Sequence, residues 1–130
     1  MDTVKVHKNG PIAHVELNRP EVKNAFNDIL LKELVDTFQK LATDDSCRVV
    51  ILSGAGGFFC AGGDLNWMKS FVNATLEENE ADAHRLAAML DLLNRFPKPI
   101  IGQVHGGAMG GGVGLVSVCD IVVAADKTVF

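Results

Sequence analysis

The sequence predicts an α/β fold. Short β-like runs alternate with helix-period stretches along the chain, two of those runs end in glycine-rich loops, and each loop opens onto a helix. The loops are Phe59-Cys60-Ala61-Gly62-Gly63-Asp64-Leu65 and His105-Gly106-Gly107-Ala108-Met109-Gly110-Gly111-Gly112.

Residues 4–7 and 12–17 alternate apolar with polar on either side of Asn9-Gly10-Pro11, the pattern of a β-hairpin, and Asn18-Arg19-Pro20 closes it. From Asp28 onward Leu31, Leu34, Val35, Phe38 and Leu41 recur at helical spacing, with Asn27 or Asp28 as the cap. Residues 48–53 form a buried strand, and residues 65–71 a short helix after the first loop. Thr75-Leu76-Glu77-Glu78 is a capping-box pattern. The long helix it opens carries Ala83, Leu86, Ala87, Leu90 and Leu93 on one face, and Pro97 and Pro99 end it. A strand begins at Ile100, the second loop leads into a helix over residues 113–119, and residues 120–125 are a last strand.

Composition bounds the function. A length of 130 residues allows one domain with a real core. The net charge of −4, with Lys and Arg scattered singly, argues against nucleic acid or an anionic membrane as partner. Asp2, Lys5, His7 and Lys8 interrupt any signal-peptide pattern, and no apolar stretch reaches the length of a membrane span. The 3 cysteines are odd in number and lack metal-ligand spacing, so a cytoplasmic location with reduced thiols and no metal is expected. The apolar share of 48% is high, and residues 107–125 are almost wholly apolar, a stretch that needs cover. The expectation is the front part of a longer protein; the alternative is a small domain that buries this surface in an oligomer.

A strand that ends in glycines and turns into a helix leaves backbone N–H groups without partners. Two such loops brought together make a two-donor pocket for a developing oxyanion. Nucleotide-binding readings compete poorly. The third glycine of a G-x-G-x-x-G pattern falls on Phe59 in one place and Ser117 in the other, and neither loop carries Gly-Lys-Ser or Gly-Lys-Thr. No G-x-S-x-G elbow occurs.

Asn18-Arg19-Pro20, Asn24-Ala25-Phe26-Asn27, the first glycine loop, Gly110-Gly111-Gly112 and Cys119-Asp120-Ile121 together resemble the enoyl-CoA hydratase/isomerase (crotonase) family, in the right order over nearly the whole chain. The resemblance implies a spiral of repeated ββα turns, of which residues 1–130 would be the N-terminal half of the core, an acyl-CoA-binding domain whose C-terminal part is absent. It also implies assembly as a homo-trimer or hexamer at full length. The substrate would bring its own coenzyme A, and no further cofactor would be needed.

By the same resemblance, the N–H groups of Gly63 and Gly111 hold the thioester oxygen. The loop Gly63-Asp64-Leu65-Asn66 lines the acyl-pantetheine tunnel, Ala61, Gly111 and Gly114 also belong to the substrate-binding set, and the stretch around Lys23, Asn24, Ala25 and Phe26 resembles the adenine contact. Read from the residues alone, Asp64 is the N-cap of the short helix, His105 a strand-end side chain, and Cys60 and Cys119 small packing residues. Trp67 and Met68 either line an acyl pocket or form an amphipathic helix face.

One position departs from the family pattern. The best-known hydratases carry a catalytic glutamate two residues after the third glycine of the Gly-Gly-Gly run; Gly114 stands there and can neither take nor give a proton. The other hydratase glutamate would fall just beyond Phe130, so a chain of these residues alone is expected to be inactive. Around Gly114 the sequence is similar to bacterial methylglutaconyl-CoA and isohexenylglutaconyl-CoA hydratases, enzymes of leucine and acyclic-terpene breakdown. The expected reaction is hydration of an α,β-unsaturated acyl-CoA, possible substrates including 3-methylglutaconyl-CoA. The alternatives are a family isomerase or decarboxylase, or a non-catalytic acyl-CoA-binding subunit.

Overall fold

A computed structural model describes residues 2–130. Strands β1 (Val4–Asn9) and β2 (Ile12–Leu17) form the expected hairpin, with Asn9 opposite Ile12, so Gly10-Pro11 is a two-residue turn. Strands β3 (Val49–Gly54), β4 (Ile100–Val104) and β5 (Ile121–Ala124) follow in parallel, giving one sheet in the order β1-β2-β3-β4-β5. Parallel neighbours need crossovers. Helix α1 (Asp28–Ala42) makes the first, α2 (Leu65–Ser70) and α3 (Leu76–Asn94) the second, and α4 (Gly111–Ser117) the third.

The core lies where α1 covers the sheet. Alternation along β2 and β3 buries Ala13, Val15, Leu17, Val50 and Leu52, while the helical period of α1 buries Leu30, Leu31, Leu34, Phe38 and Leu41. Each of the Val, Leu and Phe side chains contributes about 1.5–3 kcal/mol of transfer free energy. Asn27 caps α1 by accepting from the Leu30 N–H at 2.9 Å. At the other end Lys98 donates to the carbonyl of Leu41 in the last turn and to that of Asp44 just beyond the helix, placing a cation at its negative end.

Two local expectations are corrected. On α3 the buried side chains are Met89 and Leu93, with Leu86 and Leu90 half-buried, whereas Ala83 and Ala87 are exposed. The longer Met and Leu side chains reach the core and turn the small alanines outward. The last helix begins on Gly111 rather than Val113, because the glycines themselves adopt helical backbone. The capping box of α3 forms as expected, with Glu78 N–H donating to Thr75 Oγ1 at 3.1 Å and Glu78 Oε2 accepting from Thr75 N–H. Strand β5 is exposed at all four residues, with Ile121 and Val123 about 60% accessible at 58% and 61%. Of residues 107–125, Ala108 and Leu115 are buried, whereas the outer strand is left uncovered by the described residues.

Candidate functional site

The two glycine loops meet above the ends of β3 and β4 and zip together in parallel. The Phe59 N–H donates to His105 O at 3.0 Å, and the Cys60 N–H to Gly107 O at 3.3 Å. The Met109 N–H returns a bond to Cys60 O at 3.0 Å. Contact is too close for side chains. A Cβ on Gly112 would stand 2.2 Å from Cys60 O, and one on Gly62 would stand 2.7 Å from Met109 O and 3.2 Å from Gly111 N. Gly62 also sits at φ +92°, a conformation other residues rarely adopt. His105 adds a clasp, its Nε2 lying 2.6 Å from Gly56 O.

Phe26 organises both loops. Its N–H donates to Gly62 O at 2.6 Å and its carbonyl accepts from the Asp64 N–H at 2.7 Å, which pins the first loop as a short strand. Its buried ring lies under the second loop, where a Cβ on Gly111 would come within 2.6 Å of Phe26 Cε2. The segment before Phe26 is fixed by Asn24, which is fully buried. Asn24 Oδ1 accepts from the Arg19 N–H at 2.8 Å, and Nδ2 donates to Ala55 O at 2.9 Å and Phe58 O at 2.8 Å. Lys23 and Asn24 both have left-handed backbone, at φ 53° and 57°. Asparagine tolerates that better than most residues.

This geometry leaves two amides free. Gly62 O and Asp64 N–H both face Phe26, so strand alternation turns the intervening Gly63 N–H the other way. Gly111 is the first residue of α4, where no preceding turn supplies a carbonyl. Among the described residues neither N–H has a hydrogen-bond acceptor. The Gly62–Gly111 contact brings the two stretches together.

The remaining predicted residues divide. Asp64 caps α2, accepting from the Trp67 N–H at 3.0 Å, and pairs with Arg19 at 3.1 Å. The Trp67 N–H foremost, helped by Arg19, holds the Asp64 carboxyl below the usual carboxylate range against the opposing effect of burial. Both oxygens are thus engaged, as the N-cap reading expects. Asp64 and Asn66 line a polar cleft of about 580 Å³ with Arg19, Asn27, Trp67 and Arg85. Ala61 is half-buried beside the loop crossing, its N–H bonded to Lys23 O at 2.9 Å. Ala25 is buried and offers its carbonyl to Arg19. The Lys23 ammonium lies 5.3 Å from the centre of the Phe58 ring, and Leu65 points to solvent. Trp67 packs edge-on against Phe71 and the core, whereas Met68 lies against Gly63.

Burial pushes the Cys60 and Cys119 thiols up to about 11, which keeps them protonated and inert. Asp120 seals the start of β5, its Oδ2 accepting from the Ile100 N–H at 2.8 Å. The organising roles of Phe26, Asn24 and Arg19 escape motif reading, although the Asn18–Asn27 stretch that carries them was part of the pattern. Only the left-handed tendency of Asn24 leaves a local signal. Among the described residues no helix is long and apolar enough to cross a membrane, and no group of three His, Cys, Asp or Glu side chains is arranged to hold a metal.

Comparison with known proteins places the fold and the family. The chain is 45% identical over 121 residues to the mitochondrial Delta(3,5)-Delta(2,4)-dienoyl-CoA isomerase of Mus musculus, covering 85% of this chain and 36% of that protein. It is 41% identical over 130 residues to the Homo sapiens protein of the same name, covering 92% of this chain and 39% of that one. The structure matches an enoyl-CoA hydratase from Shewanella pealeana at a TM-score of 0.92 with 35% identity, over 95% of this chain and 46% of the other. An enoyl-CoA hydratase from Mycobacterium smegmatis matches at 0.93 with 32% identity, over 98% and 49%. The chain thus has the crotonase fold over its length and spans well under half of the curated relatives. These relatives are named isomerases, whereas methylglutaconyl-CoA hydratases are the expectation from the sequence around Gly114. A model of the Enoyl-CoA hydratase/isomerase family matches residues 7–130, and the chain belongs to that family.

Proposed function

We propose that the free N–H groups of Gly63 and Gly111 bind the thioester oxygen of an acyl-CoA and stabilise the enolate formed when its acyl chain reacts. The carrying observation is the pair of unbonded amides on loops locked against each other. Adding to, or taking a proton beside, a thioester carbonyl moves charge onto its oxygen, and two fixed donors meet that charge without reorganising. Each donor of this kind is worth about 100-fold to 1,000-fold in turnover. The only cofactor-like group in this reaction is the coenzyme A that the substrate carries.

The first reading is hydration of an α,β-unsaturated thioester, with 3-methylglutaconyl-CoA the first substrate to test. The names of the curated relatives favour a second reading, migration of a double bond through the same enolate. Both need a proton carrier. Gly114 has none, and the Asp64 oxygens are occupied by Trp67 and Arg19. By the family resemblance, the acid/base group is expected in the part of the relatives' length that this chain does not span.

The test is turnover of enoyl-CoA and dienoyl-CoA thioesters by the intact protein, followed by absorbance of the conjugated thioester and by product analysis. Hydrated product establishes the first reading and a rearranged diene the second. Tight thioester binding without turnover leaves a binding subunit. Absence of binding removes the oxyanion site altogether.

A further inference from the structure

The hairpin carries a pair of side chains that the thioester site does not use. His7 on β1 and His14 on β2 stand directly opposite each other, and Lys5 stands opposite Glu16 at the next position on the same face. The two-residue turn fixes that register; a one-residue slip would put the two rings on opposite faces of the sheet. Ala13, Val15 and Leu17 are buried beneath α1, so alternation turns His14, and His7 across from it, to the face that α1 does not cover. His7 is exposed and His14 half-buried, which leaves the pair open to solvent.

The ring centres lie 6.2 Å apart and the rings are tilted by 44°. Two imidazoles that share one divalent ion, each through a nitrogen at about 2.0–2.1 Å, have ring centres about 5–6.5 Å apart. Rotation about the side-chain bonds is the only adjustment the pair needs. Among the described residues neither ring makes a side-chain hydrogen bond, unlike His105 with its contact to Gly56 O. The surroundings do not repel a cation either. Alternation sends Lys8 to the other face, where Asp44 binds it at 2.7 Å, and Lys5 is matched across the ladder by Glu16. On the β3 side His14 abuts Ile51, which carries no charge.

We propose that His7 and His14 form a two-imidazole site for a divalent transition cation of the zinc, nickel and copper class, with water filling the remaining positions. Imidazole suits these ions, and two rings held on one ladder bind as a chelate. Magnesium and calcium, which take oxygen ligands, are not bound there. Because the ion needs both strands in register, it ties the edge strand β1 to β2 and stabilises the folded hairpin. The pair is independent of the glycine loops, so the site stands whatever reaction those loops serve.

The test is calorimetric titration of the intact, tag-free and metal-stripped protein with Zn2+, Cu2+ and Mg2+, repeated on His7→Gln, His14→Gln and His84→Gln. His84 is an exposed imidazole on α3 and serves as the control. One ion is expected per chain, with copper tighter than zinc and magnesium silent. Either hairpin variant should weaken binding about 10-fold or more, because a chelate becomes a single contact, while His84→Gln leaves it unchanged. Zinc should also shift the ring NMR signals of His7 and His14 together and raise the thermal midpoint of the unmodified protein but not of His7→Gln. Absence of saturable binding, binding of the first ion that survives either hairpin variant, or an equal loss in His84→Gln would overturn the site.

Discussion

The two glycine loops present an amide in opposite ways. The first loop is held by polar side chains: Asn24 ties its approach at three points, Asp64 caps the helix it enters, and Arg19 links that carboxylate to the hairpin. The second loop has a single side-chain tie among the described residues, the His105 clasp on Gly56 O at its start. Otherwise it is positioned by the absence of side chains, with Gly112 pressed on Cys60 O and Gly111 on the Phe26 ring. Bonded locks tolerate partial loss, because each contributes a kcal/mol or so. Steric fit against backbone does not, because one methyl group must displace a whole segment.

That contrast is broken most directly at Gly112. Gly112→Ala places a methyl 2.2 Å from a backbone carbonyl, and denaturant unfolding is expected to show a loss of about 3 kcal/mol. A change within a few tenths would mean the second loop is as adaptable as the first. Next is Gly111→Ala, whose methyl meets a ring edge rather than backbone. Turnover of the best thioester should fall about 100-fold through displacement of the N–H, and thermal stability should fall too, by less than for Gly112→Ala, because the methyl stands 2.6 Å from the buried Phe26 ring. Asn24→Ala should cost about 2 kcal/mol, since it leaves the part-buried Ala55 and Phe58 carbonyls and the Arg19 N–H without that partner.

The smallest effect is expected at the helix cap, where Asp64→Ala should cost about 1 kcal/mol by the same unfolding measurement. Asp64 also has a pH signature. Its carboxyl titrates lower in the folded chain than in the unfolded one, so its contribution is present above the unfolded carboxylate range, near pH 4. That contribution disappears as pH falls through the depressed native value. The stability difference between the unmodified protein and Asp64→Asn should shrink over that acid window and stay constant above it.

The hairpin, α1 and the α3 capping box were legible because they depend on period and local hydrogen bonding. Residues 12–17 alternate, Leu31, Leu34, Phe38 and Leu41 repeat at helical spacing, and Thr75 and Glu78 bond each other three residues apart. The helical start at Gly111 was less legible, since glycine carries no propensity for it and only contact with Phe26 and Cys60 holds it there. The outward turn of Ala83 and Ala87 was likewise invisible, because small residues fit either face and neighbours decide.

The sequence by itself determined the α/β layering, the two glycine loops and the family, because these rest on periodicity and on residue types at short spacing. Tertiary structure decided which amides are left free. Whether the Gly63 N–H has a partner depends on Phe26, which lies 37 residues earlier in the chain and takes the Gly62 carbonyl and the Asp64 N–H, turning the amide between them away. It also decided that the position without a side chain, Gly114, faces Leu90. Such pairings follow from how the crossovers stack on the sheet, and that is a property of the packed chain as a whole.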